Sequence, residues 1–278
     1  MDTIAKYITH DSSAQFLFID ATNTISEVIQ KTGVLPPAGI HLGQSILSCF
    51  LIHELSSKDF DHRTKLQWNV DGIFGNIYVD VNENRQGRGT IQNPSAFTGV
   101  LNENLGHGVF QVLRDQKKIH TGIVQSKGDV CIDSLEYLHQ SEQRRCAMNL
   151  WIHYDANSKD LKLKSALGYF FEVFPHDDVM KFELISTFWE EKINEMGSLS
   201  QWDIDLKDPT ASMAKIALDR TGRKTFSAPI SFGCNCSMDR AKRALAFANQ
   251  QENLPNESKA EIVCEYCSHI YNVDLNQD

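Results

Sequence analysis

Phe232-Gly-Cys-Asn-Cys-Ser237, followed 27 residues after its second cysteine by Cys264-Glu-Tyr-Cys267, decides how the last fifth of this chain folds. Four of the seven cysteines fall within these 34 residues, as C-x-C and then C-x-x-C; the other 244 residues of the 278 hold three. A soft divalent ion such as zinc takes four ligands in a tetrahedron at ~2.3 Å, and thiolates supply them well. The C-x-x-C pair sets two sulfurs on one side of a tight knuckle, the C-x-C pair does so in a narrower one, and the spacing between them holds a helix. About 45 residues make too small a core to fold unaided, so a metal staple also fits the size of the segment. The spacing predicts one zinc ion held by Cys234, Cys236, Cys264 and Cys267. It places a helix from Ser237 to about residue 250, a polar turn, and a closing hairpin around Cys264 to Val273.

Rival readings of these residues are weaker. A thioredoxin-like motif at Cys264–Cys267 needs a βαβ unit around it, and eleven residues follow Cys267 in this sequence. A nucleic-acid-binding ribbon needs a basic stripe, whereas residues 229–278 carry four Lys/Arg against seven Asp/Glu, a local balance of −3. His269 offers a substitute ligand, but four thiolates already suffice. Cys49, Cys131 and Cys146 have no paired spacing and read as buried structural thiols.

Upstream, Gln15 to Asp20 reads as a strand. Thr24-Ile-Ser-Glu27 fits a capping box opening a helix that ends near Gly33. Pro36-Pro37 reads as a break, and the spacing of Ile40, Ile46, Leu47, Phe50, Leu51 and Leu55 predicts a second helix over 38–56. Strands are expected over 65–70, 73–81, 109–114 and 119–125. Gly87-Arg-Gly89, Gly106-His-Gly108 and Lys127-Gly-Asp129 punctuate them; the second lacks the third glycine of a nucleotide loop. A helix over 130–145 and strands over 148–154 and around 169–174 complete an α+β domain built on an antiparallel sheet, residues 1–176. Pro175-His-Asp-Asp178 marks a boundary. Amphipathic helices over 179–196 and 209–219 then make residues 177–228 a helical linker, and 229–278 is the zinc module. Phe182, Ile185, Phe188 and Trp189 form an apolar stripe on the first linker helix, a pattern more often core than binding surface.

Composition is that of a folded protein, 41% hydrophobic and 23% charged. A formal charge of −9 argues against nucleic-acid or anionic-membrane partners. No run approaches the ~18 apolar residues of a membrane helix. The first residues show no basic region followed by an apolar core, so a cytoplasmic address with reduced thiols is expected. No Ser-His-Asp or Cys-His pattern stands out, and the chain is not expected to be an enzyme.

The cysteine spacing resembles that of the redox-regulated thirty-three-kilodalton heat-shock chaperonins of bacteria. Local detail agrees: Cys234-Asn-Cys236-Ser237, Arg240, Ala244-Leu245, and Cys264-Glu-Tyr-Cys267 with Tyr271 four residues on. Arg88-Gly89, Gly122-Ile-Val124, Leu135 to Glu142, and Gly168-Tyr169 through Pro175 sit where that family has similar segments. The resemblance implies a substrate-binding domain, a helical linker and a zinc switch. It also implies an ATP-independent holdase for unfolding client proteins under oxidative stress, active when oxidised and often a dimer. When oxidised, the sulfurs can pair within each short motif, Cys234–Cys236 and Cys264–Cys267, replacing one long-range cross-link by two local ones that constrain the chain far less. Loss of the module would then free the linker, with Phe182, Ile185, Phe188 and Trp189 as the candidate client surface. The alternative is a zinc-stabilised interaction protein without redox switching. Residues 249–257 between the pairs are strongly polar.

Overall fold

The computed structural model describes residues 1–55, 62–97, 99, 103–115, 119–155, 162–250 and 259–274. Its centre is helix α2 (Pro36–Leu55), of whose 20 residues sixteen are buried. A helix that is apolar all round must be covered all round, and two sheets do so. One has the strand order β10 (Gly222–Pro229), β1 (Thr3–Thr9), β2 (Ala14–Asp20), β9 (Leu163–Val173), β8 (Cys146–Tyr154), every neighbour antiparallel. The other runs β11 (Ser231–Phe232), β5 (Gln86–Ile91), β4 (Ile77–Val81), β3 (Arg63–Val70), β6 (Gly108–Asp115), β7 (Ile119–Ser126), antiparallel except for the β11–β5 pair. With α1 (Thr22–Thr32) and α3 (Val130–Glu142), α2 fills the space between them. The main core joins Leu17, Ile19 and Phe170 of the first sheet to Ile46 and Phe50 of α2 and to Trp68, Val79 and Phe110 of the second.

The far face of the five-stranded sheet is covered too. Phe16, Phe18, Tyr169 and Phe171 pack there against Trp189 of α4 (Val179–Met196), Leu199 and Trp202 of a short 3-10 turn, and Met213 and Leu218 of α5 (Pro209–Leu218). That two-sided covering is why residues 14–19 are buried without alternation.

The α+β class holds, with two corrections of layout. The expected single sheet is two. Residues 222–229, read as helical linker, form strand β10 on the edge beside β1. Local expectations shift as well. Thr24 does not cap α1, which starts two residues earlier; the carboxylate of Asp2, just before β1, accepts from the backbone N–H groups of Asn23 and Thr24 instead. Pro36-Pro37 opens α2, where a missing N–H costs nothing. Gly87 and Gly89 lie inside β5 and make no turn: a Cβ on Gly87 would sit 2.6 Å from the Phe50 ring, and one on Gly89 2.8 Å from Leu42. Their missing side chains let α2 press on the sheet. No helix among the described residues is long and apolar enough to cross a membrane.

A buried histidine in this core makes stability acid-sensitive. His53 of α2 stacks on His62 with ring centroids 4.1 Å apart, and its Nδ1 lies 3.1 Å from Thr64 Oγ1. Burial, then the charges of His62, Arg85 and Arg114, pull its pKa from 6.5 down to about 3. Because the unfolded chain protonates first, this contribution to stability is complete above pH ~6.5 and is lost as the pH falls towards 3. Between pH 7 and 5 the loss from His53 is about 2 kcal/mol. Urea midpoints across that range should fall accordingly, and His53→Gln should flatten the profile. An unchanged slope in the variant would assign the acid sensitivity elsewhere.

Candidate metal centre

After β11, Gly233 leads into Cys234-Asn-Cys236, and Ser237 caps α6 (Met238–Ala248) by accepting from the N–H of Arg240. The second pair sits in the turn between β12 (Lys259–Val263) and β13 (Ile270–Asp274). There the Cys264 carbonyl accepts from the N–H of Ser268 at 2.8 Å, the Cys264 N–H donates to the His269 carbonyl at 2.9 Å, and Ser268 takes a left-handed φ of 57°. Among the described residues, the hairpin folds onto α6 over only three buried residues, Ala241, Leu245 and Val273. Most of the polar 249–257 segment between them, residues 251–257, lies outside the described residues, as do residues 275–278.

All four Sγ atoms lie within 4.8 Å of one another. Cys234 and Cys264 are 3.7 Å apart and Cys236 and Cys267 3.5 Å. Four ligands at ~2.3 Å around one tetrahedral ion would be spaced by about 3.8 Å. Donor chemistry and spacing therefore both fit a soft metal ion. His269 is not part of this cluster; its ring packs edge-on to Tyr271 at 4.5 Å.

The surroundings act unequally on the four thiols. Burial opposes ionisation of Cys236, but the Tyr271 hydroxyl, donating to its sulfur at 3.1 Å, and the three neighbouring thiols bring its pKa down to about 7. Burial pushes Cys264 up, and Cys267 up to about 12. Four thiolates this close need a cation among them. Elsewhere, Cys49 is buried as expected, while Cys131 and Cys146 are half-buried against the core; burial raises Cys49 well above its usual value and the other two to about 12, which leaves all three poorly reactive.

The cysteine segment rests on the six-stranded sheet. β11 runs parallel to β5, and the Gly233 N–H donates to the Gly87 carbonyl at 3.2 Å. The Ser268 hydroxyl donates to the Lys31 carbonyl of α1, whose ammonium lies 5.4 Å from the Phe232 ring. Arg88 of β5 is held by Asp80 at 2.8 Å, reaches Cys234 Sγ at 3.7 Å, and stacks 4.2 Å from the ring centroid of Tyr266. Spacing gave no sign of this arginine's position, because its partners are scattered from 80 to 266.

The stripe on α4 divides. Trp189 is 4% exposed and packs on Phe16 and Phe171 at 5.5 and 5.3 Å; Phe182 and Ile185 are half-buried beside it. Phe188 is 57% exposed, and Leu184, which the stripe did not include, 71%.

Comparison with known proteins agrees with this geometry. A family model described as Hsp33 protein matches residues 2–274. The 33 kDa chaperonin of Desulfotalea psychrophila is 27% identical, covering 97% of this chain and 93% of its own length. That of Streptococcus pyogenes serotype M12 is 26% identical, covering 98% and 95%. The crystal structure of the 33 kDa chaperonin (heat shock protein 33 homolog) from Thermotoga maritima superposes with a TM-score of 0.80 at 21% identity, over 99% of this chain and 95% of that one, and so shares the fold. A match to the family model over nearly the whole chain places this protein in the Hsp33 protein family.

Proposed function

We propose that the protein is a redox-regulated, ATP-independent holdase of the cytoplasm, inactive when its four C-terminal cysteines are reduced and metal-bound. Residues 1–176 would form the client-binding core, 177–228 the linker and 229–278 the switch. The observation carrying this reading is the gathering of four thiols from two sites 27 residues apart into one tetrahedron-sized cluster over a very small core. Zinc, when bound there, would hold the sulfurs as thiolates and close the loop between Cys236 and Cys264.

Hydrogen peroxide would join Cys234 to Cys236 and Cys264 to Cys267: each pair of thiolates would give up two electrons to one peroxide, which takes two protons from solvent and becomes two waters, and the four sulfurs so paired could no longer hold zinc. The two local bridges leave α6 and the hairpin untethered. With the cluster lost, β11 would be left with its two-residue pairing to β5 and the packing of Phe232, and β11 continues directly from β10. β10 is an edge strand joined to α5 by a tight turn in which Thr221 N–H donates to the Leu218 carbonyl. Peeling would thus run from the cysteines to the helices over Phe16, Phe18, Tyr169 and Phe171.

The packing of α4 favours such release. Cavities of about 580 and 200 Å3 flank it, and the buried Ser186 hydroxyl has no hydrogen-bond partner among the described residues. The client surface would combine those sheet aromatics with Phe182, Ile185, Phe188 and Trp189, in one chain or in a dimer of two.

Aggregation suppression by reduced and by peroxide-treated protein, side by side without ATP, tests this. Oxidised protein should hold an unfolded client soluble at about stoichiometric ratio, and reduced protein should not. Emission from Trp189 and Trp202 should shift to the red as they leave their packing. Oxidation that releases zinc without holdase activity would sink the chaperone reading. No change on oxidation would favour a zinc-stabilised interaction protein.

A further inference from the structure

Arg88, on the six-stranded sheet, reaches both halves of the cysteine motif: the Cys234 sulfur of the first pair and the Tyr266 ring of the second. Its Nε donates to Asp80 Oδ2 at 2.8 Å, and Asp80 is itself nearly buried and 3.6 Å from Arg63. That anchor fixes the guanidinium over β5. One terminal nitrogen, Nη1, then reaches the Cys234 sulfur of the first pair, while the guanidinium plane covers Tyr266, which lies between the two cysteines of the second. Both contacts exist together only when the pairs are drawn together, since residues 234 and 266 are brought near by nothing in the sequence. A planar fork suits this: it donates in several directions at once and stacks on an aromatic face.

We propose that Arg88 is a positioning residue through which the six-stranded sheet holds the metal centre closed, so that metal affinity depends on docking as well as on the four sulfurs. The inference rests on the cysteine cluster being the zinc site. Partners of metal ligands outside the coordination sphere are worth about 10–100-fold in affinity, and here the partner belongs to a different part of the fold. Coupling of this kind is reciprocal. Whatever frees the sulfurs loosens the Arg88 contacts, and whatever lifts the segment off the sheet weakens the hold on the metal.

The test is zinc affinity of the full, reduced chain by competition with a chromophoric chelator, for wild type, Arg88→Ala and Arg85→Ala. Arg85 is the control: it also sits at the β4–β5 end of the sheet, pairs with Glu54 and lies over Phe226 at 4.9 Å, but these contacts stay within the two sheets and α2. Arg88→Ala should weaken zinc binding by at least about tenfold, while Arg85→Ala should stay within about twofold of wild type. In the cobalt-substituted proteins, loss of a donor to Cys234 should move the sulfur-to-metal charge-transfer band to longer wavelength in Arg88→Ala only. Equal affinity for Arg88→Ala and wild type, an equal loss in Arg85→Ala, or an unmoved cobalt band would overturn the proposal. Should Arg88→Ala not fold, Arg88→Lys carries the same test, because lysine keeps the charge near Asp80 but has no plane to stack on Tyr266. Failure of wild type to bind about one zinc per chain would overturn the metal-site reading itself, a distinct result.

Discussion

Replacing Cys264 and Cys267 together by serine is expected to lower zinc from about one per chain to near zero and to unfold residues 234–274 while strands β1–β9 keep their two-sheet core. Ala241, Leu245 and Val273 are the only described residues of this segment that are buried with one another. Three side chains of that size cannot offset the ordering of a helix and a hairpin. The remaining anchors, β11 beside β5 and the Ser268 and Arg88 contacts, all assume the folded cluster. Metal analysis gives the first readout. Limited proteolysis gives the second, with rapid cleavage after residue 233 and protection of strands β1–β9. Zinc retained at half an equivalent or more, or a protected segment in the variant, would show that these sulfurs are not the staple.

Asp133→Ala should be the most costly single substitution in the core, destabilising the chain by about 3–5 kcal/mol. The Asp133 carboxylate is fully buried at the start of α3. It accepts from Trp68 Nε1 of β3 at 3.1 Å, Ser126 Oγ at the end of β7 at 2.6 Å and the Lys127 N–H at 2.6 Å. Burial pushes its pKa up and the three donors pull against that without cancelling it. Truncation leaves Trp68 Nε1 and Ser126 Oγ buried without this acceptor, at roughly 1–3 kcal/mol each before relaxation, and the part-buried Lys127 N–H loses it too. Asp133→Asn, which keeps the shape and one acceptor, should cost less. Melting temperature is the measurement: a fall on the order of 10 °C is expected for alanine, and a loss below about 1 kcal/mol would mean that water replaces the carboxylate.

What could be read before the fold was known follows from where each constraint lies. The metal centre was legible because coordination fixes residue type and spacing within 34 positions. Helix α4 was legible end to end because its Asp178 cap and Gly197 stop are local. β1 and β10 were not: β10 is mostly polar, and it pairs with β1 across more than 200 residues. The start of α1 was misplaced because its capping carboxylate, Asp2, comes from just before β1. Gly87 and Gly89 looked like turns because a sequence shows that a side chain is missing but not that Phe50 and Leu42 occupy its place. Arg88 was named in the sequence only as part of the Arg88-Gly89 segment; its contact with the cysteine motif stayed hidden, because only the fold brings its partners together.

The pairing of β1 with β10 also sets a timetable for synthesis. On the ribosome, β1 and β2 emerge first and can form a hairpin, yet the outer edge of β1 has no partner until residues 222–229 have been made. Until then the nascent chain presents an unpaired edge, and the aromatic face of the same sheet stays bare until α4 and α5 arrive. Arrest that keeps residues 222–229 inside the exit tunnel should therefore leave β1 accessible to protease and prone to stick to neighbouring chains, and arrest after they have cleared it should protect β1. During its own birth the protein passes through a state much like those of the chains it is proposed to hold.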